Sequence, residues 1–126
     1  MLCYSFLEKR GGSIKKIINW RLLIDGKVTI DNKFVECEYE VNKFIKYLEE
    51  DYSFNIIDLE NKLFIRENKE FIFKIDFVKK MFNYILKDNN IELEDKIICD
   101  LKYKGNIIDL KYKLDEEERE IVIHIL

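Results

Sequence analysis

Hydrophobic and polar positions change their period several times along this chain, and each change predicts a different element. From Phe34 onward apolar residues recur at intervals of three and four as far as Leu48. That spacing places them on one stripe and predicts a first amphipathic helix over residues 33–51. An alternation of apolar and polar residues around Cys37 favours a strand instead over the first part of this segment.

A second helix is predicted after Asp76, whose carboxylate suits an N-cap position. Its buried face would contain Phe77, Val78, Met81, Phe82 and Ile85. An Asp-Asn-Asn sequence at residues 88–90 would end it. Between the two helices, short β-branched and aromatic runs at 54–59, 63–66 and 71–75 predict a meander of strands.

The C-terminal hairpin has the most definite pattern. Gly105-Asn106 is a two-residue loop between two alternating segments, residues 97–104 and 107–114. The register that follows pairs Tyr103 with Ile108, Leu101 with Leu110, Cys99 with Tyr112, Ile97 with Leu114, Lys102 with Asp109, and Asp100 with Lys111. One face would then be apolar, and the other would carry two pairs of opposite charge.

Glycine positions extend this scheme toward the N-terminus. Asp25-Gly26 between two apolar runs predicts another tight hairpin, Gly11 and Gly12 mark a turn, and residues 13–19 fit either a helix or a strand. Residues 121–126 predict a final strand. The expected fold is a single α+β domain over residues 1–126, with a mostly antiparallel sheet of short strands and two amphipathic helices packed on it.

Composition limits how much chemistry can be inferred. The 126 residues include no Ala, Pro or Gln, whereas Ile, Lys and Asn are abundant, as expected for a gene from an AT-rich genome. The three cysteines, Cys3, Cys37 and Cys99, form no Cys-x-x-Cys pair and are expected to be packing residues. Since no apolar run is long enough to cross a bilayer and no cleavable signal pattern follows Met1, we expect a cytoplasmic protein.

One arrangement of charged residues suggests catalysis. Asp100 followed by Asp109-Leu-Lys111 resembles the two-carboxylate and lysine pattern of metal-dependent nucleases, in which the acids hold Mg²⁺. A weaker match occurs at residues 58–62. The predicted hairpin already explains these residues as exposed cross-strand partners, and His124 is the only histidine. We therefore assign no catalytic residues, metal site or cofactor.

Charge is segregated along the chain. Residues 8–27 and 62–87 each carry a net charge of +4, whereas residues 28–61 carry −6 and residues 88–126 carry −5. Such segregation predicts surface patches of opposite sign, which can steer association with a charged partner.

These observations favour a non-catalytic protein that binds another protein. We expect an inhibitor encoded by a phage or mobile element, of the anti-CRISPR or another anti-defence type, or an immunity protein that neutralises a toxin. The partner, a nuclease or toxin, would present a basic surface. The expected binding residues are Glu36, Glu40, Glu49, Glu50 and Asp51 on the first helix, with Glu116, Glu117 and Glu118 in the final loop.

The alternative function is a small metal-dependent nuclease or a nucleic-acid-binding accessory protein. The basic stretch at residues 8–27, which contains Trp20, supports direct nucleic-acid contact, because lysines can hold phosphates while an aromatic ring stacks on a base. A sequence pI near 5.3 lacks the broad basic footprint of a dedicated nucleic-acid binder. No membrane association is expected.

Overall fold

The protein is an all-β fold. A computed structural model describes residues 13–126, and within that range the chain forms strands and turns and no helix. The eleven strands are β1 (Ile14–Ile24), β2 (Lys27–Glu40), β3 (Phe44–Leu48), β4 (Phe54–Asp58), β5 (Leu63–Glu67), β6 (Phe71–Asp76), β7 (Met81–Leu86), β8 (Ile91–Lys96), β9 (Ile98–Lys104), β10 (Ile107–Leu114) and β11 (Glu117–Ile125).

All eleven strands belong to one antiparallel sheet, in the order β8-β7-β6-β5-β4-β3-β2-β1-β11-β10-β9. The two edge strands, β8 and β9, are consecutive in the sequence and are separated only by Ile97. Because the sheet order connects them through ten antiparallel steps, they run in the same direction, and the chain passes from one to the other without reversing. The sheet therefore curls into a nearly closed, barrel-like form.

Inward-facing side chains fill the space that the sheet encloses. The ring centroid of Phe73 lies 6.4 Å from that of Phe64 on the neighbouring strand and 5.5 Å from that of Tyr112 on β10. Trp20 and Tyr47 form a similar contact at 6.3 Å. The most deeply buried apolar residues are Ile18, Ile45, Ile57, Phe64, Ile75, Ile108, Leu110 and Ile123. Contacts between rings on separate strands hold the curled sheet together.

The predicted first helix is wrong. Residues 33–40 are the second half of β2, residues 41–43 form a turn, and β3 follows. Alternation is the correct period on each side of the turn, with Tyr39 directly opposite Ile45. The inward positions keep one alternation across the turn, so the spacing of three and four arises from apolar residues that face outward or lie in the turn: Phe34, Val41 and Leu48, which are 60%, 62% and 50% exposed. Aromatic and β-branched residues, in a chain without Ala, also favour strands.

The predicted second helix is wrong as well, so the α+β class is incorrect. The Asp76 carboxylate accepts hydrogen bonds from the backbone N–H groups of Val78 and Lys79, both at 3.0 Å. This is the expected capping chemistry, but it serves a turn at residues 77–80 that leads into β7. Lys80 has a φ of 55°, a left-handed conformation that a helix does not contain.

Both predicted tight hairpins are confirmed. β9 and β10 pair in the expected register, with Leu101 opposite Leu110, and the ladder ends at Ile98 and Lys113, one pair short of the prediction. Asp25 and Gly26 have φ values of 50° and 80°, as a type I′ turn requires. The meander strands also form, as β4, β5 and β6. Gly11, Gly12 and Cys3 lie outside the described residues.

Two truncations on β3 distinguish the strand from the helix, since the helical stripe would bury both side chains. Ile45 is fully buried, whereas Leu48 faces outward and is 50% exposed. We expect Ile45→Ala to lower the free energy of unfolding by about 2–5 kcal/mol. Leu48→Ala should change it by no more than about 0.5 kcal/mol. Urea unfolding followed by Trp20 fluorescence measures both values, and equal losses would contradict the strand assignment.

Candidate functional site

Connections between neighbouring strands alternate between two rims of the sheet, because each antiparallel strand reverses the chain. Backbone hydrogen bonds between a connection and its neighbour on the same rim mark each rim. At one rim the backbone N–H of Asp25 donates to the carbonyl of Glu118 at 2.8 Å, and that of Lys87 donates to Glu70 at 2.9 Å. At the other rim the N–H of Leu59 donates to Lys43 at 2.8 Å.

The two rims carry opposite charge. The five connections of one rim contain eight acidic and two basic residues, whereas the four of the other contain four basic and one acidic residue. We call the first the acidic rim: residues 25–26, 49–53, 68–70, 87–90 and 115–116. We call the second the basic rim: residues 41–43, 59–62, 77–80 and 105–106. Because successive connections alternate between the rims, the sheet topology separates acidic from basic residues in space.

Local turn geometry explains some of these acidic residues. The Asp51 carboxylate accepts a hydrogen bond from the N–H of Ser53 at 3.0 Å, and the pKa of Asp51 is lowered chiefly by that bond. At the next connection the amide oxygen of Asn68 accepts from Glu70 and Phe71 in the same way. Short polar side chains are common in turns for this reason. The charge they leave on the surface remains available to a partner.

Within the acidic rim, the acidic residues at positions 25 and 115–118 join two turns that are far apart in the sequence. Asp25 accepts a hydrogen bond from the N–H of Glu118 at 2.9 Å, which fixes the β1–β2 turn against the start of β11. Around this contact lies a shallow groove of about 520 Å³, lined by Asp25, Leu114, Asp115, Glu116, Glu117 and Arg119. Arg119 binds Glu117 at 2.8 Å, and carboxylates dominate the rest of the lining.

The acidic residues of the connection between β3 and β4, at positions 49–51, are largely neutralised by neighbouring side chains. Nε of Arg66 lies 3.1 Å from Oε2 of Glu49, as an ion pair without hydrogen-bond alignment, and Nη2 of Arg66 lies 3.5 Å from Asp51. The side-chain amide of Asn55 donates to Oε2 of Glu49 at 2.6 Å. Lys33 lies 3.4 Å from Glu50. Buried charges and amides need such partners, so this group closes the end of the core.

The structure brings six of the eight predicted binding residues to the acidic rim or next to it. Glu49, Glu50, Asp51 and Glu116 lie in its connections, and Glu117 and Glu118 begin β11. The other two lie elsewhere on β2. Glu36 is in mid-strand, 3.4 Å from Lys15, and Glu40 is at the opposite end, 3.1 Å from Lys43. No helix presents the first five. Sequence analysis missed Asp25, which only the strand order places beside Glu118, and Asp115, which directly precedes the predicted acidic loop.

The possible nuclease arrangement lies on the outer face of β9 and β10. Asp100 is opposite Lys111 and Asp109 is opposite Lys102, as the sequence predicts. The ion pair formed there runs along one strand, from Lys102 to Asp100 at 4.0 Å. Within residues 13–126, no group of three or more His, Cys, Asp or Glu side chains is arranged to hold a metal ion.

Two further candidates from the sequence are Asp58, which stabilises a turn, and His124, which is exposed on a strand. The Asp58 carboxylate accepts hydrogen bonds from the backbone and side chain of Asn61, both at 2.9 Å, and so stabilises the turn between β4 and β5. His124 is exposed on β11, opposite Asn19 and Ile107.

Burial is the main cause of the largest pKa shifts. It raises the pKa of the Cys37 thiol to about 11 and lowers that of the Lys46 ammonium to about 8. Burial, with a hydrogen bond to the Tyr103 hydroxyl, raises the pKa of Tyr39 to about 12. Because the thiolate is the nucleophilic form of cysteine, Cys37 is inert at neutral pH. Cys37 and Cys99 are both buried free thiols, which confirms their predicted packing role.

A partly buried carboxylate on β11, that of Glu120, provides a test of these electrostatics. Burial, and then the neighbouring Asp109, raise the pKa of Glu120 above its ordinary value of 4.5. The folded state thus disfavours ionised Glu120, and this cost appears as the pH rises above about 4.5. We expect Glu120→Gln to raise the melting temperature at pH 7.5 and to have much less effect at pH 4.

Melting curves at the two pH values measure this difference, with Glu94→Gln on β8 correcting for the loss of one negative charge. The stability gain should be below about 1 kcal/mol, because the site is only partly buried. Stabilisation of equal size at both pH values would contradict the predicted titration of Glu120.

Comparison with known proteins gives no relative: no family model, no curated protein and no solved structure matches this chain. Among residues 13–126, no helix has the length and apolar character needed to cross a membrane. The acidic rim is therefore the candidate site, on the basis of its own geometry and charge.

Proposed function

We propose that this protein acts without catalysis, by binding the basic surface of another protein through its acidic rim. The proposed class is an inhibitor from a phage or mobile element, of the anti-CRISPR or another anti-defence type, or a toxin immunity protein. The acidic rim is the observation that carries this proposal, with eight acidic and two basic residues in its connections. A cytoplasmic location is part of the proposal.

The chemistry of the partner follows from this charge. Nucleases and many toxins that act on nucleic acids must present lysines and arginines to the phosphate backbone. A protein surface rich in carboxylates can occupy the same groups and exclude the substrate. The groove around Asp25 and Glu116 suits this role, because acidic side chains from two adjacent turns converge on it.

The filled interior of the sheet supports a surface function. Residues from several walls, including Phe64, Phe73 and Tyr112, contact one another in the space where many curled sheets bind a ligand. The partner-specific features then lie in the turns. Loops held by a rigid scaffold are a common place for binding residues.

Charge reversal at the acidic rim tests the proposal. Glu116→Lys combined with Glu118→Lys changes the groove and its border without touching the Arg66 ion pairs, which a change at Glu49 would break. We expect association with the partner to slow by about tenfold or more at 0.1 M salt, because steering raises association rates. At 1 M salt, where the Debye length is ~3 Å, variant and wild type should converge.

A matched control reverses two exposed carboxylates away from the acidic rim, Glu60→Lys in the basic rim with Glu94→Lys in the middle of β8. The partner is captured from host lysate with tagged wild type, identified, and tested for loss of its own activity at stoichiometric amounts. Equal, salt-insensitive association rates for wild type and the rim variant would overturn binding through the acidic rim.

Asp109→Asn separates this function from the nuclease alternative. A binding protein should keep its inhibitory activity in this variant and should work in EDTA, because Asp109 lies away from the rim on β10. Cleavage of DNA or RNA by the purified protein in Mg²⁺, lost in Asp109→Asn, would instead establish the nuclease function. Incubation of the wild type with plasmid DNA and single-stranded RNA measures this directly.

A further inference from the structure

The sheet ends in two free edges. β8 pairs with β7 and β9 pairs with β10, and neither edge strand has a second strand beside it in the described part of the chain. An unpaired edge presents a row of backbone N–H and C=O groups that can accept another strand. The side chains on each edge determine which strand that can be.

The β8 edge is acidic and repels a copy of itself. All six of its residues are exposed. Glu92 and Glu94 lie on the outer face, opposite Ile85 and Asn83 of β7, and Asp95 lies on the inner face, opposite Phe82. Lys96 is the one basic residue of β8 against three acidic ones, and an excess of one charge on an edge strand is a common protection against pairing.

The β9 edge has mixed charge. Cys99 and Tyr103 face inward with Leu101 between them, whereas Asp100 and Lys102 face outward. At the start of this edge the Lys80 ammonium donates a hydrogen bond to the carbonyl oxygen of Cys99 at 2.8 Å. This contact occupies the Cys99 carbonyl oxygen, where a pairing strand has to replace the ammonium with a backbone N–H, and it leaves residues 100–104 open.

We propose that two copies of this protein dimerise by antiparallel pairing of their β9 edges, about a two-fold axis at Leu101. In that register Leu101 lies opposite its own counterpart, and Asp100 of each copy lies opposite Lys102 of the other. Cys99 lies opposite Tyr103 on the inner face. Opposite charges and apolar residues are the cross-strand pairs that stabilise a sheet.

Charge selects this register among the alternatives. Moving the two-fold axis to Asp100 would place two aspartates opposite each other, and moving it to Lys102 would place two lysines together. Shifting the pairing of the two β9 strands by a single residue is excluded by the side-chain alternation, because apolar residues of the second strand would then face outward. Only the axis at Leu101 gives two unlike pairs and no like pair. The assembly is closed, because each copy uses its self-complementary edge once.

The experiment measures the mass of the full chain in solution by sedimentation velocity over a concentration series. Wild type should show a concentration-dependent dimer. Asp100→Lys and Lys102→Asp each place like charges opposite one another, so we expect each to raise the dimer dissociation constant at least tenfold. The double variant, Asp100→Lys with Lys102→Asp, restores unlike pairs and should dimerise again.

Mixing the two single variants is the sharpest test. One then carries lysine at both positions and the other aspartate at both, so a heterodimer should form where neither variant dimerises alone. Glu94→Lys on the β8 edge is the control and should leave the wild-type dimer unchanged. Circular dichroism and Trp20 fluorescence confirm that each variant is folded before its mass is interpreted.

A covalent link checks the register. In a Cys3→Ser background, Leu101→Cys places two thiols at the two-fold axis, within the distance that a disulfide spans, and mild oxidation should give a linked dimer. Leu93→Cys on β8 should not. The proposal is overturned by a wild-type protein that stays monomeric up to 1 mM, or by a dimer that tolerates both single reversals.

Discussion

The structure depends on one covalent constraint: a single residue, Ile97, joins the two edge strands of an eleven-stranded sheet. An open sheet of this width would hold its edges far apart, since neighbouring strands lie about 4.8 Å from one another. The link allows no such separation, so the sheet must curl. The N–H of Ile97 also donates to the carbonyl of Lys80 at 3.0 Å, which holds the junction against the β6–β7 turn.

Curling determines what the side chains can do. Inward positions meet residues from other walls, so they must be large and apolar, and aromatic rings supply much of the volume. Where the core meets the acidic rim, polar residues replace them: Ser53 and Asn55 are buried, Asn55 donates to Glu49, and Arg66 bridges Ser53 and Glu49. The side chains of the interior thus serve to stabilise the fold. Recognition is left to the turns, the outer faces and the edges.

Sequence reasoning succeeded where structure is local. A two-residue turn specifies its own hairpin, so the pairing of Leu101 with Leu110 follows from Gly105 and Asn106 alone. It failed at residues 34–48, because apolar residues on the outer face and in the turn, such as Phe34, Val41 and Leu48, combine with inward ones to imitate a helical period. Asp76 shows a related ambiguity: its carboxylate caps N–H groups in a turn as readily as in a helix, and only the left-handed Lys80 distinguishes the two.

The candidate site was predictable to the same extent. Acidic runs at residues 49–51 and 116–118 are visible in the sequence, and both lie at or next to the acidic rim. Glu36 and Glu40 are equally acidic, but β2 carries them away from it. The contact between Asp25 and Glu118 spans 93 positions and requires β1 to lie beside β11, which no local pattern shows. Contacts between distant strands are set by sheet order, and one sequence does not reveal that order.

Charge separation between the rims arises from repetition. Lys43, Lys62 and Lys80 follow one another at intervals of 19 and 18 residues, about the length of two strands with their turns. Each of these lysines lies in the basic rim. The backbone carbonyl of each accepts a hydrogen bond from the N–H of an apolar residue where the chain next returns to that rim: Leu59, Phe77 and Ile97 respectively. The backbone therefore closes the core, while the side chains of Lys43 and Lys62 are exposed and that of Lys80 reaches the carbonyl oxygen of Cys99. Since every second connection returns to the same rim, each added hairpin pair can contribute lysine to one rim and carboxylate to the other.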